Sequence, residues 1–303
     1  MPLESATSAE FSQCAEFQGE RRQVLEIPVP MTIHEPLGSP KGQIVIVPGW
    51  SGPRSGPADI LVFLASRLAQ AGWRVLRLDL PGRGDAGGEF TASGLDEMIH
   101  ATLLAHGATI RPDEPHYILG MCSGGNVALG TVTQSMEING GRSTREEWNR
   151  VGVIALSTLP FQPSRTKNFD RLRIFKNIKQ YVAKAASPGT WARLAKGEIN
   201  LDRVKKNVTA SEKPAIGDRN LKDSTRDIEK ELLKWKGRAL FVWGGGDEEA
   251  LPARAHYEKL CAAGMGENGS AIFHTIDGAN HNFYGRAWRE ELIRVVLQFI
   301  QKP

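Results

Sequence analysis

The run Gly120-Met121-Cys122-Ser123-Gly124-Gly125 places a thiol and a hydroxyl side by side in a glycine-rich turn. It directly follows an apolar run, His116–Leu119, and directly precedes a helical pattern from Asn126. A nucleophile held on a tight strand-to-helix turn needs small residues two before and two after it, because larger side chains would collide with the flanking elements. Cys122 meets that requirement with Gly120 and Gly124. Ser123 would have Met121 at minus two, which is too large, so the spacing favours the thiol. The helix N-terminus beneath favours negative charge, which lowers a thiol pKa and stabilises an oxyanion. A glycine-rich turn around an inert buried cysteine is the alternative.

A thiol nucleophile needs a base, and the base an orienting acid, expected after later strands in the order nucleophile, acid, histidine. The run Ala239–Trp243 leads into Gly244-Gly245-Gly246-Asp247, and Ala271–Ile276 leads into Asp277-Gly278-Ala279-Asn280-His281. Cys122, Asp247 and His281 therefore occur in the expected order. Glu248, Glu249 and Asp277 are rivals for the acid. The other six histidines lie in helices, strands or early loops; His100 and His106 read as helix surface and His274 lies within a strand. An oxyanion hole needs two backbone donors. The amide of Ser123 is the first; the second is expected in Pro48-Gly49-Trp50, from Trp50 or, after it, Ser51.

The elements that must position these residues alternate. Strand patterns at 22–27, 31–35, 43–47, 73–80, 116–119, 151–156, 239–243 and 271–276 are separated by helical patterns at 58–71, 95–106, 253–263 and 287–301. Such alternation predicts βαβ units and a mostly parallel sheet covered on both faces. The rhythm breaks in 161–236, which carries 19 Lys and Arg against 9 Asp and Glu in a chain of net charge +4. It reads as an inserted basic helical cap, with helices expected at 172–186 and 191–195, between core segments 21–160 and 237–303; residues 1–20 read as a flexible tail. Gly82-Arg83-Gly84-Asp85-Ala86-Gly87 fits the dinucleotide fingerprint by letter, but no helical pattern starts inside it.

Composition narrows the class. With 303 residues, 41% hydrophobic and 24% charged, the chain can bury a large core, and collagen-like, coiled-coil and wholly disordered readings are excluded. No apolar run reaches the length of a membrane span, and the first residues show neither a basic nor an apolar leader region. Three separated cysteines suggest no disulfide framework, so a cytoplasmic location is expected. Zinc, P-loop and HExxH spacings do not occur, and no cofactor, metal or nucleic acid is expected.

Pro48-Gly49-Trp50, Asp79-Leu80-Pro81-Gly82-Arg83-Gly84-Asp85, the turn 120–125, Gly245-Gly246-Asp247 and Asn280-His281 together resemble the α/β-hydrolase superfamily over residues 40–285. A cysteine at this turn is shared with dienelactone hydrolases and polyhydroxyalkanoate synthases. The cap segment near Ser187–Trp191 resembles the exosortase A system-associated hydrolases. Pro48 departs from the His that many members carry there. The resemblance implies an α/β-hydrolase fold in which residues 81–87 are a structural glycine turn. The expected activity is cleavage of an ester or thioester, with Cys122 as nucleophile, His281 as base and then acid, Asp247 as orienter, and Trp50 and Ser123 amides on the oxyanion. The substrate is a small acyl compound, anionic if the basic cap selects it. Acyl transfer to an alcohol or amine, and a non-catalytic ligand-binding member of the fold, are the two rival functions.

Overall fold

Short runs of β-branched and aliphatic residues bounded by Pro and Gly form the strands, and amphipathic stretches between them form the helices. A computed structural model describes residues 4–9, 29–90, 93–109, 111, 114–134, 151–161, 222–264 and 270–301. In chain order these hold β1 (Glu4–Ala9), β2 (Val29–His34), β3 (Gln43–Val47), α1 (Ile60–Gln70), β4 (Arg74–Leu78), α2 (Leu95–Thr109) and β5 (His116–Met121). They continue with α3 (Ser123–Thr133), β6 (Gly152–Leu156), α4 (Ile228–Leu232), β7 (Arg238–Gly244), α5 (Ala250–Gly264), β8 (Ser270–Ile276) and α6 (Arg286–Gln301).

The eight strands form one sheet in the order β1-β2-β4-β3-β5-β6-β7-β8. β2 is antiparallel to both β1 and β4, and every other pairing is parallel. This is the mostly parallel sheet expected from the alternating pattern, in the α/β-hydrolase architecture that the resemblance implies. β3 lies between β4 and β5, so the winding direction reverses at β3, and a crevice opens beyond the carboxyl ends of β3 and β5. The loop 48–56 leaves β3 there, and Cys122 follows β5 there.

Parallel strands covered on both faces read as continuous apolar runs, and β3, β5 and β6 are buried at every position. Ile44, Ile46, Leu119, Leu156 and Val242 on one face pack with Leu61, Leu64 and Leu68 of α1 and Val296 and Phe299 of α6. Each fully buried aliphatic side chain of this kind contributes about 1.5–3 kcal/mol. α3 packs on β5 and β6 and against α2 and α4.

Several expectations change. Residues 4–9, read as part of a loose tail, form an edge strand, since ladder hydrogen bonds need no apolar periodicity. The helix expected from Asn126 begins at Ser123, because the turn closes directly into it. His106, read as helix surface, is fully buried, edge-to-face with His116 at 5.3 Å. It shares the inward stripe of Leu95, Ile99 and Thr102, and burial lowers its pKa to about 3. By its α-carbon contacts the chain divides into residues 1–161 with 221–303, and residues 162–220. Residues 222–236, grouped with the basic stretch by composition, pack with the first unit through buried Ile228, Leu232 and Trp235. The strand expected at 22–27 and the helices expected at 172–186 and 191–195 lie outside the described residues.

Candidate active site

The turn between β5 and α3 is forced by close packing. Cys122 has φ 56° and ψ −124°, a conformation side chains with a Cβ rarely adopt. Its N–H donates to Leu156 O at 2.7 Å, and its C=O accepts from the Gly125 N–H at 3.0 Å. A Cβ on Gly120 would run into the carbonyl of Gly124, and one on Gly124 into the carbonyl oxygens of Val47 and Pro48. The first turn of α3 therefore lies directly on the end of β3. Glycines two before and two after Cys122 are a steric necessity of this contact.

The other two loops converge on the same rim. Gly245 N–H donates to Ile276 O at 2.7 Å and Gly246 N–H to Ala279 O at 2.8 Å, which ties the loop after β7 to the loop after β8. The Asp247 side chain is 2% exposed, and its Oδ2 lies 2.6 Å from His281 Nδ1. The imidazole in turn lies near enough to the Cys122 thiol for each group to shift the pKa of the other. Burial opposes ionisation of the thiol, but the His281 hydrogen bond and charge and the Ser123 donors outweigh it, and the pKa falls below the ordinary 9.0. Burial likewise opposes protonation of His281; hydrogen bonds and charge from Asp247 and Cys122 win and raise it to about 10. Each group thus favours the charged form of the other.

Of the residues marked in the sequence, the structure joins Asp247 and His281 by a hydrogen bond and brings Cys122 next to the imidazole, while Trp50 and Ser123 are hydrogen-bonded to each other. Among the rival acids, Glu248 and Asp277 are exposed. Glu249 approaches: Asp247, Glu249 and His281 each offer an atom within 4.8 Å of the others. Two carboxylates and an imidazole are a plausible donor set for a divalent cation, but His281 Nδ1 is already engaged by Asp247. Ser157 was not legible in the sequence. It follows β6 with φ 47°, and its Oγ donates to the His281 carbonyl at 2.7 Å, bracing the loop that carries the imidazole. No residue-type or spacing signal marks it.

The second oxyanion donor is held in an unexpected way. The Trp50 N–H points into the site but donates to Ser123 Oγ at 2.6 Å. Ser51, the other candidate, is exposed. Arg83 fixes the Trp50 peptide from behind: its Nε donates to Trp50 O at 2.7 Å, and its guanidinium lies 4.8 Å from the Trp50 ring and 4.3 Å from the Phe90 ring. Arg83 is 4% exposed, and burial lowers its pKa to about 10. Fully buried Asp79 ties the same loop to the turn 81–87. It accepts from the Arg54 N–H at 2.6 Å, from the Arg54 guanidinium and from the Asp85 N–H at 2.9 Å.

The family model described as the alpha/beta hydrolase family matches residues 44–295. The chain belongs to that family. Solved structures share the fold at low identity. Est1E from Butyrivibrio proteoclasticus with ferulic acid bound is 16% identical, TM-score 0.55, covering 96% of this chain and 100% of its own. A dienelactone hydrolase from Anabaena variabilis is 15% identical, TM-score 0.57, covering 99% and 97%. An esterase from Pyrococcus furiosus is 14% identical, TM-score 0.59, covering 99% and 91%. No curated protein sequence matches.

In this α/β hydrolase the run 82–87 has a structural explanation. No helix starts inside it, α2 begining only at Leu95, and a Cβ on Gly84 would collide with the Asp79 carboxylate. No helix among the described residues is long and apolar enough to cross a membrane.

Proposed function

We propose that this α/β hydrolase cleaves a carboxylic ester or thioester through an acyl-cysteine intermediate on Cys122. The observation that carries the reading is the 2.6 Å hydrogen bond of Asp247 to His281, with Cys122 close enough to the imidazole to shift its pKa. The Cys122 thiolate attacks the acyl carbon, and the carbonyl electron pair moves onto oxygen, facing the Ser123 and Trp50 amides. As the tetrahedral adduct collapses, the bond to the leaving group breaks and imidazolium His281 protonates the departing alcohol or thiol. Neutral His281 then takes a proton from water, hydroxide adds to the thioester, and the thiolate leaves as the carboxylic product forms. Asp247 keeps Nε2 of His281 directed at the thiol and stabilises the imidazolium. Two of the structural neighbours, the Pyrococcus furiosus esterase and the Anabaena variabilis dienelactone hydrolase, are named for reactions of this class.

The basic stretch supplies substrate selection in this reading. Between residues 222 and 236 the charges nearly cancel, five Lys and Arg against four Asp and Glu, so the surplus of the insertion belongs to 161–221. An anionic acyl substrate is the chemistry such a charge favours. A cytoplasmic location would keep Cys122 reduced.

The test is turnover of p-nitrophenyl acetate by the full chain and by Cys122→Ala. The expected result is multiple turnovers for the former, loss of at least about 10³-fold for the latter, and a mass increase of one acetyl group on Cys122 in a quenched sample. Full activity in Cys122→Ala would overturn the reading. Acyl products appearing on added alcohols or amines in place of acetate would assign acyl transfer instead.

A further inference from the structure

The Trp50 amide has one hydrogen and can serve one acceptor, and Ser123 Oγ holds it at 2.6 Å. A substrate oxyanion must lie about 2.7–3.1 Å from the same nitrogen. The two cannot be bound together. Having accepted from Trp50, the hydroxyl keeps its own proton to give, and the Ser123 hydroxyl and N–H both act to lower the pKa of the adjacent Cys122 thiol. The Ser123 hydroxyl thus occupies the Trp50 side of the hole in the resting site. It is held tightly, because Gly124 packs on the carbonyls of Val47 and Pro48 and so fixes Ser123 against the loop that carries Trp50.

We propose that the Ser123 hydroxyl is a gate in the oxyanion hole: it fills the hole and stabilises the thiolate in the free enzyme, and it rotates away when the substrate carbonyl enters. The inference rests on Cys122 being the nucleophile, and it adds a role for a side chain whose backbone amide alone belongs to the hole. A serine χ1 has three staggered positions, so a rotation of about 120° releases the Trp50 N–H without moving the backbone. During attack the negative charge passes from sulfur to the carbonyl oxygen, and the Trp50 N–H, released from the Ser123 hydroxyl, joins the Ser123 N–H on that oxygen. A hydrogen bond made to the ground-state thiolate and broken on the way to the transition state raises the substrate concentration the site requires. In return it keeps the thiol ionised and the hole closed to other acceptors. His281 is the titratable group beside the thiol, and Asp247 and Glu249 each bring a carboxylate oxygen within 4.8 Å of the imidazole.

The test compares the full chain with Ser123→Ala and Ser123→Thr. The rate of Cys122 alkylation by iodoacetamide, located by peptide mapping, is followed against pH, and KM and kcat for p-nitrophenyl acetate are measured above the alkylation midpoint. Ser123→Ala should move the midpoint up by about one pH unit, which slows labelling about tenfold below it, because the thiolate loses a donor. It should also lower KM by roughly threefold to tenfold, with a smaller change in kcat, since the carbonyl no longer displaces a hydroxyl. Ser123→Thr keeps the hydroxyl and should restore the midpoint. Its stiffer χ1 should leave KM at or above that of the unsubstituted chain. An unmoved midpoint, or a KM that rises in Ser123→Ala, overturns the gate while leaving the nucleophile standing. If Ser123→Ala does not fold, Ser123→Thr decides by itself: a KM below that of the unsubstituted chain overturns the gate. Absence of selective Cys122 labelling in the unsubstituted chain overturns the nucleophile and the gate together.

Discussion

Cys122 carries a backbone conformation that costs free energy and a thiol pKa lowered against its burial, and each is sustained by named neighbours. The positive φ is held by hydrogen bonds to Leu156 and Gly125, and the low thiol pKa by His281 and Ser123. The thiol pKa is lowered by His281 and Ser123, and the imidazole pKa is raised to about 10 by Asp247 and Cys122. The rate kcat/KM should rise with pH as Cys122 ionises, hold through a plateau, and fall near pH 10 as His281 loses the proton it gives the leaving group; a pH–rate profile checks this. Cys261 provides an internal control. It is buried, and that burial pushes its thiol up to about 12. Iodoacetamide at neutral pH should therefore modify Cys122 and spare Cys261, as read by peptide mapping. At this scale the register of the turn was legible, since only Cys122 has glycine on both sides at a spacing of two. The strained Ser157 brace was not, because a serine after a strand has no distinguishing type.

Glycine spacing and the Asp79 clamp belong to the scale of elements. Gly120→Ala would press a methyl into the Gly124 carbonyl, which is backbone and cannot rotate aside. We expect a loss of about 3 kcal/mol or more, read as a lower urea midpoint, with esterase activity falling alongside. Asp79 joins three donors from two loops while fully buried. Asp79→Asn should cost about 1.5–3 kcal/mol in urea unfolding and reduce kcat more than it raises KM, because the loop carrying Trp50 loses its anchor. This clamp also explains how a fingerprint-like glycine run arises without a nucleotide: the glycines make room for the carboxylate. His106 shows the opposite failure. Its residue type suggested surface, yet helical spacing places it on the stripe of Leu95, Ile99 and Thr102, and the spacing decided its burial.

Charge asymmetry is a property of the whole molecule. The net charge of +4 conceals a basic stretch of surplus +10 within an acidic remainder. If that stretch draws an anionic acyl substrate, kcat/KM for an anionic p-nitrophenyl ester should fall severalfold between about 10 mM and 150 mM salt, while that for p-nitrophenyl acetate stays level. Equal salt dependence of the two esters would dismiss the idea. The sequence by itself determined the alternation of strands and helices, and with it the sheet, because apolar periodicity and glycine breaks are local and their cost is felt within a few residues. It also determined the order Cys122, Asp247, His281 and the rim on which each loop would emerge. Only the tertiary structure decided which carboxylate meets the imidazole, that the Trp50 amide is already taken by Ser123, and that Ser157 and Asp79 brace the loops around them. Those choices depend on distances between segments 25 to 124 residues apart, and a chain's residue types do not specify such distances until packing has fixed them.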